Sequence, residues 1–139
     1  MSAHVIEEHD LDGLATLDPQ DQANSKRVTF WYLIVAHIVL LVGGLMGIVI
    51  RNSQADVGVI DPTNWYALMT AHGIAVFVGW GAFGVMGFAF WLLARMGFPL
   101  RPFGKTIGWI AFWLMVVGAA GVLVTTLIMH FGASWVFLY

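Results

Sequence analysis

The side chains most able to do chemistry here are histidines, of which the sequence has five. Cysteine is absent, so disulfides and thiolate sites for zinc, iron–sulfur clusters or dinuclear copper cannot be built from this chain. A metal would be held by histidine, methionine or oxygen. His37, His72 and His130 stand inside long apolar stretches. Ionisable groups inside a bilayer are costly and usually face protein or a cofactor, so these three are the candidates for ligating iron or for bonding one helix to another. His4 and His9 lie in an acidic N-terminal stretch and are read as solvated side chains.

The elements that must carry these histidines follow from composition. Of the 139 residues, 60% are hydrophobic and 10% charged, against about 25% charged in soluble domains. No Asp, Glu, Lys or Arg occurs between Arg27 and Arg51, between Asp61 and Arg95, or after Lys105, and each gap exceeds the ~20 residues that cross a bilayer. An all-α membrane protein with three transmembrane helices is predicted, spanning roughly Val28–Ile50, Tyr66–Ala94 and Ile107–Phe131. The first span follows a polar stretch of 27 residues, unlike a signal peptide with its short apolar core after a basic start. Residues 1–27 form an acidic cytoplasmic tail, expected to stay solvated, and 28–139 the membrane portion.

Lys26, Arg27, Arg95, Arg101 and Lys105 fall on one side of such a topology and Arg51 alone on the other. The positive-inside rule makes the first side cytoplasmic, with the N-terminus inside and the C-terminus outside. The few, dispersed cations exclude a nucleic-acid face, and the bilayer is the principal surroundings. Pro99 and Pro102 break the connection between spans two and three, and Asp61-Pro62-Thr63-Asn64 reads as a turn and helix cap before span two. The closing Gly132-Ala133-Ser134-Trp135-Val136-Phe137-Leu138-Tyr139 suits either an aromatic interfacial belt or a chain that continues elsewhere, as a fragment or split subunit.

His72 lies ~9 Å below the outer boundary at about 1.5 Å per residue. On a helical wheel Ala75, Val76 and Gly79 fall within about 60° of it. Two readings fit this stripe equally: small side chains that admit a flat macrocycle beside a ligating imidazole, or small side chains that admit a neighbouring helix. His37, in the middle of span one, reads as a hydrogen bond to a neighbouring helix. His130, near the outer end of span three, reads as interfacial. Both miss the depth of His72 by roughly 7–10 Å, so a second imidazole facing His72 must come from another segment or chain. Gly43-Gly44-Leu45-Met46-Gly47 carries a small-xxx-small packing pattern. Arg51, closing span one, fits interfacial snorkelling or a bond to an anionic or formyl group on a cofactor.

The run Asn64-Trp65-Tyr66-Ala67-Leu68-Met69-Thr70-Ala71-His72-Gly73 resembles the start of the second helix of subunit I in haem-copper terminal oxidases. Ile50-Arg51, the Arg95-Met96-Gly97-Phe98-Pro99-Leu100-Arg101-Pro102 connection and a third span rich in Trp, Gly and Leu are similar to the family in the same order. The resemblance covers Phe30 to Tyr139, the N-terminal three-helix portion. It implies that His72 is an axial ligand of the low-spin haem and that Arg51 bonds the haem's periphery. It also implies a plasma-membrane enzyme reducing oxygen to water with proton pumping, fed by cytochrome c or quinol. Copper, its histidine ligands, the second haem and the second low-spin ligand would belong to helices outside this sequence, and subunit II and the remaining helices of subunit I would be partners. A different class also fits the gross features: a three-helix anchor binding haem b and quinone, similar to the membrane subunits of succinate dehydrogenase. The register of Thr-Ala-His-Gly with its flanking loops favours the oxidase.

Overall fold

The computed structural model describes residues 18–55 and 60–128. His130, most of the acidic tail and the aromatic C-terminal run lie outside the described residues. Three long apolar helical rods result, as the charge-free gaps predict. The first is α1 (Pro19–Ala55). The second comprises α2 (Pro62–Gly73), a π-helical turn (Ile74–Trp80) and α3 (Gly81–Arg95). The third is α4 (Pro102–Leu127). No strand occurs among the described residues. Leu41, Leu114 and Val117 are 64%, 69% and 68% exposed, which suits hydrocarbon surroundings and not water.

Local chemistry sets the helix ends. Asp61 caps α2 by accepting from the backbone N–H groups of Thr63 and Asn64, both at 3.1 Å, with Pro62 following at the first helical position. At the end of α3, Gly97 adopts φ 85°. The N–H of Phe98 bonds the Leu93 carbonyl and that of Gly97 the Ala94 carbonyl, a Schellman closure that favours glycine at this position. Pro102 then starts α4.

The first helix begins earlier than hydropathy predicts, at Pro19 instead of Val28. Asp18 accepts a bond from Gln20 N–H at 2.9 Å, an N-cap with proline behind it. Residues 19–27 are therefore helical and not a free tail, and Asn24 and Ser25 are buried. The Ser25 hydroxyl donates to the Asp21 carbonyl at 2.9 Å and accepts the Leu100 N–H at 2.6 Å. That pair of bonds ties the connection between spans two and three to α1.

Tyr32, Phe83 and Phe112 form the aromatic centre of the bundle, at centroid separations of 5.9, 5.2 and 6.0 Å. Tyr32 also donates to the Gly108 carbonyl at 3.0 Å, joining α1 to α4. A buried bond of this kind contributes about 1 kcal/mol.

Spans one and two approach closely in antiparallel register. A Cβ on Gly87 would lie 2.9 Å from Leu33 Cδ2, one on Gly79 2.7 Å from Val39 Cγ1, one on Gly43 2.9 Å from Val76 Cγ2, and one on Gly47 2.9 Å from His72 Cε1. Each contact needs the missing side chain. Without a strong hydrophobic drive between helices in lipid, such approaches supply the dispersion contact that holds them together.

Candidate functional site

His72 sits in the last turn of α2, just before the backbone passes into the π-helical turn. π-Helical turns recur at functional sites. The imidazole is half-buried and turned toward α1. Its Nδ1 lies 2.7 Å from the Gly43 carbonyl oxygen, so Nδ1 carries the proton and donates it. Gly47 gives the ring its place: the Cε1 edge occupies the space that a side chain at 47 would fill. Nε2 has no protein partner among the described residues. An imidazole with one nitrogen donating to a backbone carbonyl and the other unpaired is how proteins orient a histidine for metal ligation. In its donor chemistry, His72 fits a single axial ligand to haem iron.

The Ala75, Val76 and Gly79 stripe faces the same side as His72, as the wheel predicts. What lies against it is α1: Gly43 meets Ala75 and Val76, and Gly79 meets Val39. The stripe therefore seats a helix and is not a bed for a flat macrocycle. Thr70 belongs to the same motif, and its hydroxyl is buried with no hydrogen-bond partner. Two residues before His72, it points to roughly the opposite side of the helix and takes no part in holding the imidazole.

The other candidates stand apart. His37 is exposed on α1, and its Nδ1 lies 2.6 Å from the Leu33 carbonyl of its own helix. This replaces the predicted bond to a neighbouring helix: with a carbonyl four residues back in reach, the ring turns along α1. His37 is six residues from Gly43, ~9 Å along the axis, so the described part of the chain gives His72 no partner at its own depth. Arg51 is exposed one turn outward from Gly47, on the same side of α1, with Nη1 donating to Gln54 Oε1 at 3.1 Å. No group of three or more His, Cys, Asp or Glu that could hold a metal occurs among the described residues. A cavity of about 260 Å³ lies between the three spans, lined by residues such as Val39, Gly79, Met115 and Gly118. No titratable side chain reaches it.

The family model described as cytochrome c and quinol oxidase polypeptide I matches residues 27–139. The chain belongs to that family. No curated protein and no solved structure matches it. The family match and the three apolar helices make this oxidase polypeptide I relative a membrane protein of an oxidoreductase complex. It also removes the succinate dehydrogenase-like anchor as the alternative reading.

The holders of the imidazole escaped the sequence reading. Gly43 and Gly47 were legible as a packing pattern, but their spacing carried no sign that one would offer its carbonyl to His72 and the other its empty side-chain position.

Proposed function

We propose that this chain supplies one axial ligand, His72 Nε2, to the low-spin haem of a haem-copper oxidase. The observation that supports this reading is the Nδ1–Gly43 bond, which leaves Nε2 free to ligate in a chain of the oxidase family. When bound, the haem iron supplies one-electron transfer. Gly43 and Gly47 hold the ring in one tautomer and orientation. Arg51, one turn outward from Gly47, would bond the haem's periphery in place of Gln54. The second axial ligand comes from outside the described residues. The remaining helices of subunit I, subunit II, copper and the second haem complete the enzyme, with cytochrome c or quinol as donor and oxygen reduction coupled to proton pumping as the overall reaction. The chain is the N-terminal three-helix portion of that subunit in the plasma membrane.

The test is spectroscopic. Expressed alone, the chain binds haem weakly or in five-coordinate form. Expressed with a polypeptide supplying the remaining oxidase helices, it gives a six-coordinate, bis-imidazole spectrum. A stoichiometric bis-histidine spectrum from the chain alone overturns the reading, because His37 or His130 would then have to reach the depth of His72.

Orientation belongs to the same proposal. Lys26, Arg27, Arg95, Arg101 and Lys105 gather at one end of the bundle, and that end is cytoplasmic. A reporter fused after Gly104 reads cytoplasmic, and reporters placed at Val57 and at Tyr139 read external. The reverse pattern sinks the topology.

A further inference from the structure

Two apolar tracks, one a groove and one an open helix face, run along the surface of the bundle from the end that carries Arg27 and Lys105. One, between α1 and α4, starts at Arg27 and continues past Trp31 to Val35 and Val116. The other, on α4, starts at Lys105 and continues past Trp109 to Ile110 and Val117. Trp109 and Trp113 wall both. Arg27 and Trp31 are four residues apart, as are Lys105 and Trp109, so each cation has a tryptophan on its own face ~6 Å deeper. Since α1 and α4 are separated by one antiparallel span, they run in the same direction, and the two series descend side by side. Neither cation has an ion-pair partner among the described residues.

Cation, then tryptophan, then aliphatic wall follows the depth profile of a phospholipid: phosphate, interfacial glycerol and ester groups, hydrocarbon. Two apolar tracks parted by one ridge of indoles match one headgroup with two chains. A covering protein helix would cover the apolar tracks but would leave both cations to water unless it carried carboxylates at their depth. An anionic lipid meets all three levels at once.

We propose that Arg27 and Lys105 bind the phosphate of an anionic phospholipid whose two acyl chains lie on either side of the Trp109–Trp113 ridge. The site rests on the membrane-spanning arrangement alone and stands apart from the assignment of His72.

The experiment reconstitutes the full chain into phosphatidylcholine bilayers and measures, by electron spin resonance, the immobilised fraction of chain-labelled phosphatidylglycerol against chain-labelled phosphatidylcholine. The wild-type chain prefers the anionic lipid, each cation contributing about fivefold. The Arg27→Ala/Lys105→Ala variant loses that preference, while Lys26→Ala/Arg95→Ala, with the same change of charge at the same end, keeps it. Circular dichroism confirms that both variants remain helical. Equal affinities in the wild type overturn the proposal. So does an equal loss in the control pair, which would mean diffuse charge. A preference present in the isolated chain and absent from the assembled oxidase complex also overturns it, since a protein helix would then occupy the face.

Discussion

Replacing His72 with alanine abolishes the low-spin reduced-minus-oxidised absorbance band of the assembled complex and leaves the helices in place. The two parts of this expectation have separate causes. The imidazole makes one bond to α1, through Nδ1 to the Gly43 carbonyl, and losing such a bond costs about 1 kcal/mol. The aromatic centre at Tyr32, Phe83 and Phe112 and the glycine contacts at Gly79 and Gly87 do not involve residue 72. Circular dichroism and membrane insertion therefore stay near those of the wild type. Iron has no such reserve, because no other unpaired imidazole nitrogen of the described residues lies at that depth. His37→Gln is the matched comparison. His37 is exposed, bonds its own helix at Leu33 and sits ~9 Å away along α1, so its replacement leaves the band at full intensity. A normal band in the His72 variant would remove this residue from the haem, and loss of the band in the His37 variant would break the depth argument.

The contrast between these two histidines also marks how far the sequence could be read. The spans were legible because the charge-free gaps report the solvent directly, and the cap at Asp61 was legible because an Asp-Pro turn is local chemistry. The helix start at Pro19 was not, since hydropathy marks where the membrane begins and says nothing of a helix that continues past it under an Asp18 cap. Ser25 reaches Leu100 across the fold, which no local pattern encodes. For His72, the motif pointed to the residue, and the bilayer argument explained why an imidazole there needs a partner. Which helix provides that partner depended on the register between spans one and two. That register is set jointly by Gly43, Gly47, Gly79 and Gly87, and a wheel drawn on span two alone cannot show it. The same limit explains the stripe at Ala75 and Gly79: the wheel placed it correctly beside His72, while its occupant, α1, was a property of the pair of helices.

Gly47 offers the sharper test of how the ring is held, because its neighbour Gly44 provides an internal control. A Cβ at position 47 would lie 2.9 Å from His72 Cε1 and 3.4 Å from Nδ1, whereas one at position 44 meets nothing within 4 Å. Both residues are helical glycines in the same span, so Gly→Ala raises intrinsic helix propensity equally, by about 1 kcal/mol. The two variants therefore differ only in what the new methyl group meets. At 47 the imidazole has to swing away, and its bond to the Gly43 carbonyl goes with it, or the helices have to part and loosen the contacts of Gly43 with Val76 and Gly79 with Val39. Either response releases the ring from its fixed tautomer and direction. Loss of the group that orients a ligating histidine weakens metal sites about 10–100-fold. Gly47→Ala is accordingly expected to lower haem affinity by that factor and to shift the low-spin band or its midpoint potential, while Gly44→Ala binds haem as the wild type does. Gly47→Val, with a branched side chain on the imidazole, removes the band altogether. Titration of the assembled complex with haem, followed at the low-spin band, distinguishes the cases. Equal affinity for the 44 and 47 variants would show that the space at Gly47 does not hold His72 in the working enzyme.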